Sequence, residues 1–148
     1  MFTQNMMAGF LILIFSFSHN ARAQDIHVAL VRNVSGDVKI IRDQSDIVAT
    51  VGTQLLRSDV VVSGPKSSSG IVFRDGTLLT VGASTELEIS RYVFQPAEAK
   101  YDFSVYLRKG EAIYSSGKIG KLSPESVSVN TPKSTVGVRG TRFIVKVD

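Results

Sequence analysis

Thr131-Pro132-Lys133-Ser134-Thr135-Val136-Gly137-Val138-Arg139-Gly140-Thr141-Arg142-Phe143 is the stretch that decides the reading of this chain. Two glycines three apart bracket an arginine, a proline interrupts the chain upstream, and the alternating run Phe143, Val145, Val147 leaves downstream. Glycine at a sharp corner permits a positive φ that other residues resist. Alternating apolar residues mark a half-buried strand. The segment is therefore a tightly specified turn feeding a strand, and it holds no nucleophile, metal cluster or acid–base pair. Two roles fit Arg139. Its five donors can tie down nearby carbonyls or an acidic side chain, or, with exposed backbone N–H groups, they can hold a carboxylate or phosphate. No helix follows the loop, as phosphate-binding loops usually require, so the structural role is the better reading of Gly137, Arg139, Gly140 and Thr141.

Working upstream, the same short alternation recurs between turn residues. Val38 and Ile40 follow Gly36-Asp37; Val60 and Val62 lead into Ser63-Gly64-Pro65; Ile71 and Phe73 run to Arg74-Asp75-Gly76; Leu87 and Ile89 alternate with Glu86 and Glu88. Phe103, Val105 and Leu107 precede Gly110, and Val127 and Val129 precede Thr131-Pro132. Strands of this length with frequent turn signals predict an all-β domain, a compact β-roll or sandwich with tight glycine turns. Asp75-Gly76 predicts a two-residue I′ hairpin. Gly64, Gly70, Gly76 and Gly82 lie six apart, which keeps a short β-solenoid as the alternative. Tyr92 to Lys100 and Gly117 to Glu125 read as loops.

The first 23 residues read as a secretory signal: an apolar run around Phe10 to Phe15, then polar residues, then Ala21-Arg22-Ala23. Residues 24–148 would form the exported domain. The chain has no cysteine, so disulfides, thiolate metal sites and cysteine nucleophiles are excluded. There are 17 basic and 13 acidic residues, and loss of Arg22 with the signal leaves a net charge of +3. Pairs such as Arg57/Asp59 and Arg74/Asp75 interleave the signs, which reads as a mixed, solubilising surface. Nucleic-acid binding needs clustered cations, so no nucleic-acid partner is expected, and no second apolar run predicts membrane insertion after cleavage.

Chemistry-bearing candidates fare poorly. His27 lacks ligand-forming neighbours other than Asp25, so no metal is expected. Glu86 and Glu88 share a strand face at a spacing that superficially suits glycoside hydrolysis, but burial of Leu87 and Ile89 opposite explains them as a solvent face. Lys66 beside Ser67-Ser68-Ser69 lacks a nucleophile elbow and reads as a polar loop. No catalytic residue and no cofactor are expected.

Several signatures then recur in order: Val51-Gly52-x-x-Leu55-Leu56-x-x-Asp59 through Val62-Ser63-Gly64, Phe73-Arg74-Asp75-Gly76-Thr77 through Gly82, Lys109-Gly110, Ser116-Gly117-Lys118-Ile119, and Thr131-Pro132 with Gly137-Val138-Arg139-Gly140-Thr141. In these the chain, from Gly36 to Val147, resembles the FecR-type periplasmic domain family. The resemblance implies an all-β, non-enzymatic domain of the Gram-negative periplasm, acting in envelope signalling or protein interaction. Asp59, Gly64, Asp75, Gly76, Gly110, Gly117, Thr131, Pro132, Gly137, Arg139, Gly140 and Thr141 would be its motif residues, mainly structural ones. Relatives carry a cytoplasmic anti-sigma region ahead of a membrane anchor; this sequence shows neither, and looks like a free-standing exported member. Relatives also continue past the Gly140-Thr141 turn, so the domain is C-terminally incomplete or its last strand is paired by a partner. The alternative function is binding of an acidic small ligand or glycan through Arg139, Lys118 and Lys121, and the alternative location is secretion.

Overall fold

Apolar residues at every second position form the strands, and burial follows the alternation. The computed structural model describes residues 26–148. The expected signal, residues 1–23, lies outside the described residues. Twelve strands are connected by backbone pairing: β1 (Ala29–Ser35), β2 (Val38–Arg42), β3 (Ser45–Val48), β4 (Gln54–Leu55), β5 (Val60–Ser63), β6 (Ser68–Phe73), β7 (Leu78–Val81), β8 (Glu86–Gln95), β9 (Lys100–Ser115), β10 (Val127–Asn130), β11 (Thr135–Gly137) and β12 (Arg142–Val147). The helix α1 (Lys118–Leu122) lies between β9 and β10. Their main order is β3-β2-β5-β8-β9-β7-β6-β1-β4, with β10 and β12 also paired to β9. Every pair is antiparallel except β9–β10. The all-β expectation matches this curled antiparallel sheet. The six-residue glycine spacing does not mark rungs: Gly70 lies inside β6, whereas Gly76 lies in the turn that follows it.

The long β9 strand is the spine. Residues 103–106 are flanked by β8 and β10, and residues 112–115 by β7 and β12. Phe103, Val105 and Leu107 are buried in its first half, but Ala112 and Tyr114 in its second. The buried set thus switches from odd to even positions, and the switch falls at Gly110, whose φ is +92°. A bulge between Ile89 and Arg91 shifts β8 likewise, so Leu87, Ile89 and Tyr92 all face the core. A chain of ring contacts runs Phe73–Phe103–Tyr114–Phe143, with centroids 4.9, 5.6 and 4.9 Å apart. It ties β6 through β9 to the last strand.

Parallel pairing of β9 and β10 demands a crossover, and the segment Gly117 to Glu125, expected as a loop, supplies it as α1 followed by a single 3-10 turn at Pro124–Ser126. Ile119 is the buried anchor of that segment. Tyr92 to Lys100 also differs from expectation. Strand pairing continues to Gln95↔Lys100, and only Pro96–Ala99 forms the turn. Cross-strand contacts extend it: Arg91 pairs with Asp102 at 2.9 Å, and Phe94 meets Tyr101.

The I′ turn expected at Asp75-Gly76 is absent there. Gly76 N–H donates to Phe73 C=O and Phe73 N–H to Thr77 C=O, which encloses three residues, and Asp75 has no positive φ. This is a turn closed by a glycine bulge, with Gly76 at φ +87°. The two-residue hairpin with both centres at positive φ lies at Asp43 (+48°) and Gln44 (+65°), between β2 and β3. Nor is Ser67-Ser68-Ser69 a polar loop. Ser68 opens β6, and the buried Ser67 and Ser69 hydroxyls bond the Asp37 N–H and the Asn33 carbonyl. Glu86 does sit opposite buried Leu87, and it pairs with Arg108 across the strands.

Candidate interaction surface

Two aspartates expected on a mixed surface are interior residues: Asp59 is 1 % and Asp75 2 % exposed. Buried carboxylates require partners, and both have them. Asp59 receives a two-pronged Arg42 guanidinium, Nε at 2.9 Å and Nη2 at 2.7 Å, plus the Leu56 N–H at 2.8 Å. Arg42 was missed in sequence, yet a signal exists. It lies two residues after buried Ile40 on β2, so its charge points inward and calls for a buried acid.

Asp75 sits where the β6–β7 turn meets α1. Oδ1 accepts from the Tyr92 hydroxyl (2.9 Å) and the Thr77 N–H (3.3 Å); Oδ2 accepts from the Thr77 hydroxyl (2.7 Å) and the Ile119 N–H (3.0 Å). Its own carbonyl accepts from the Lys118 N–H at 2.9 Å. The turn thereby holds the first turn of α1. Gly117 lets the two backbones meet, since a Cβ there would stand 2.2 Å from Thr77 N. Gly110 similarly has no room for a Cβ beside Thr85. Gly64 bonds the Asp37 carbonyl and the Ser84 N–H through its backbone.

Burial, and then the charge of Asp75, push the Tyr92 phenol far above its ordinary pKa. Burial also raises Tyr114. Both phenols favour the neutral form in the fold, so their contribution is complete below about pH 10 and is lost as pH rises beyond it. The expected result is a melting temperature insensitive to phenol ionisation up to about pH 10 and falling above it. Tyr92→Phe should weaken the alkaline decline while lowering stability at neutral pH. An unchanged alkaline profile in this variant would contradict the assignment.

The Thr131–Phe143 segment begins at the β10–β11 turn and returns to the C-terminal end of β9, where Arg142 pairs with Ser115. Pro132 occupies the tight β10–β11 turn: the Thr131 N–H donates to the Ser134 carbonyl (2.8 Å), and the Thr131 hydroxyl accepts from the Lys133 and Ser134 N–H groups at 3.3 and 3.0 Å. Val138, 5 % exposed, plugs the following corner into the core. The Thr141 carbonyl accepts from the Ser116 N–H at 2.7 Å. The glycines differ. Gly140 has φ +127°, whereas Gly137 has no positive φ, and a Cβ at either would meet nothing within 4 Å. Gly140→Ala is therefore expected to cost about 1–2 kcal/mol from backbone strain alone, and Gly137→Ala less than about 0.5 kcal/mol. Equal melting temperatures for the two would contradict this.

Arg139 does not tie the corner together. It is exposed and, among the described residues, makes no hydrogen bond or ion pair. It lines two shallow concavities instead. One, of about 630 Å³, lies between β11 and β12 and is lined by Lys133, Val136, Phe143, Val145 and Lys146 among others. The second, of about 740 Å³, is bounded by Gly120, Pro124, Glu125 and Val127. Lys118 and Lys121 line neither, so the three cations of the acidic-ligand reading do not converge. A third concavity, of about 890 Å³, is lined by Arg42, Arg57, Asp59, Arg74 and Phe94. Among the described residues no cluster of three or more His, Cys, Asp or Glu could hold a metal, and no helix is long and apolar enough to cross a membrane.

No curated protein and no solved structure matches the chain. A family match does exist, and it covers residues 59–148, from the buried Asp59 through β12. The segment from Gly36 to Ser58, included in the sequence resemblance, lies outside it. The matching family, described as FecR protein, is one of envelope signalling and is not known for enzymatic activity. Because that match takes in more than half of the sequence, including the Asp75 turn, the Gly117 contact and the Gly137–Thr141 corner, the chain belongs to the FecR family.

Proposed function

We propose that this protein is a non-enzymatic envelope-signalling module, exported to the periplasm by residues 1–23 and working through protein–protein contact. Its open strand edges, the 95–99 hairpin tip and the crossover around Pro124 are the contact surfaces. The observation that carries the reading is the end of the strand order: among the described residues β3 pairs with β2 on one edge and with no strand on the other. An open edge lends its main-chain N–H and C=O groups to an incoming strand. FecR membership supports the same direction. The test is affinity capture from envelope extracts with increasing bait, together with fractionation of cells producing the full chain. Saturable recovery of a defined envelope protein, and a processed product in the periplasmic fraction, are expected. Retention in the cytosol, or capture that never saturates, would defeat the proposal.

A second reading keeps one observation: Arg139 lines two concavities and has no ion-pair partner among the described residues. On that reading the protein binds an acidic glycan or small anion. At 100 times its Kd such a ligand would add about 2.7 kcal/mol of stability. A screen of acidic sugars and peptidoglycan fragments by thermal shift separates the two readings.

A further inference from the structure

We propose that the concavity lined by Arg42, Arg57 and Arg74 is a binding site for a phosphate monoester that carries an apolar group. The site goes beyond the strand-edge reading, and it shares no lining residue with the two Arg139 concavities. Three separate elements supply the arginines: Arg42 ends β2, Arg57 stands between β4 and β5, and Arg74 follows β6. Each is held in place. Both oxygens of buried Asp59 clamp Arg42, whose side chain remains 29 % exposed. Ser58 N–H donates to Ile89 C=O at 2.7 Å and Asp59 N–H to Leu56 C=O at 3.3 Å, which fixes the backbone beside Arg57. Arg74 N–H donates to Val28 C=O at 3.1 Å.

Charge and shape define the ligand. The sequence sets Asp59 near Arg57 and Asp75 beside Arg74, yet both carboxylates turn inward, one to Arg42 and the other to Tyr92, Thr77 and Ile119. The concavity therefore gathers three guanidiniums against Asp59, already matched to Arg42, and the exposed Asp43. Like charges collected in one hollow repel, and an anion seated among them removes that cost. A guanidinium offers a planar fork of donors to a pair of oxygens. The exposed forks of Arg57 and Arg74 together suit the three terminal oxygens of a phosphate monoester better than the two of a carboxylate. Val28, Leu56 and Phe94 give an apolar wall, and Ile26, 69 % exposed, extends it. At about 890 Å³ the hollow is the size of a small-molecule site rather than of a lone ion. The organic part of the ester lies against that wall.

Phenyl phosphate is the probe, titrated into the purified protein while backbone amide and arginine Nε–H resonances are followed. It is expected to shift Arg57, Ser58 and Arg74 saturably, and to bind more weakly as salt rises. Inorganic phosphate should shift the same resonances but bind about tenfold more weakly, because it has no ring to bury. Arg57→Gln and Arg74→Gln alter exposed side chains and should leave the melting temperature nearly unchanged. Each should nevertheless weaken phenyl phosphate by about tenfold or more. Lys66→Gln removes an equal charge from an exposed turn outside the concavity and should have no effect. Vesicles of phosphatidylcholine and phosphatidic acid separate two sources of the ester. Sedimentation with them, lost in both arginine variants and competed by phenyl phosphate, would assign a lipid headgroup; no sedimentation would assign a soluble ester. Four results would overturn the proposal: no saturable shift, shifts centred on Arg139, binding indifferent to both arginine variants, or benzoate binding as tightly as phenyl phosphate.

Discussion

Gly117→Ala is expected to be the most damaging conservative substitution in the protein, lowering stability by about 3–5 kcal/mol. The added Cβ would lie 2.2 Å from Thr77 N, 2.7 Å from Gly76 C and 2.8 Å from Asp75 O. All three are backbone atoms, so no side chain can swing aside. Relief requires moving α1 away from the β6–β7 turn, which breaks the bonds from Lys118 N–H and Ile119 N–H to Asp75. For a domain of this size the loss corresponds to roughly 12–20 °C in melting temperature. Positive φ is not the cause, because Gly117 has φ −102°; space is. Gly137→Ala, open on all sides, is the control. A melting temperature for Gly117→Ala within about 3 °C of the control would refute this account.

Asp75→Asn is expected to cost about 2–4 kcal/mol although it preserves shape. Each carboxylate oxygen accepts from two donors: Tyr92 O–H and Thr77 N–H on one side, Thr77 O–H and Ile119 N–H on the other. An asparagine amide has one acceptor oxygen and one donor nitrogen. In either orientation its NH2 faces donors. Asp75→Ala should cost as much or more, about 3–5 kcal/mol, because it leaves those donors buried without an acceptor. Urea denaturation measures both. Asp75→Asn within 1 kcal/mol of the parent would show that the donors find other acceptors and that this centre does not hold α1 to the sheet.

Much of the architecture was readable from local pattern. Alternation at Val38/Ile40, Leu87/Ile89 and Phe103/Val105/Leu107 predicts strands because a pleated backbone sends neighbouring side chains to opposite faces. Other features escaped that logic. The β2–β3 turn uses Asp43-Gln44 with no glycine, so composition did not announce it. The strands past Tyr92 were hidden by Gln95-Pro96, although proline there merely closes the hairpin. A five-residue helix carries too little periodicity to detect.

The candidate surface divides along the same line. Motif spacing pointed to Gly137, Arg139 and Gly140, but it could not assign them different duties: Gly140 holds a left-handed corner, Gly137 is an ordinary strand residue, and Arg139 lines two concavities without an ion-pair partner among the described residues. Local order along the chain settled the strand class and the family, because these depend on neighbours a few residues apart. Asp59 with Arg42, Asp75 with Ile119, and Gly117 against Thr77 join positions 17, 44 and 40 residues apart. Such pairs exist only when the sheet has brought their backbones together.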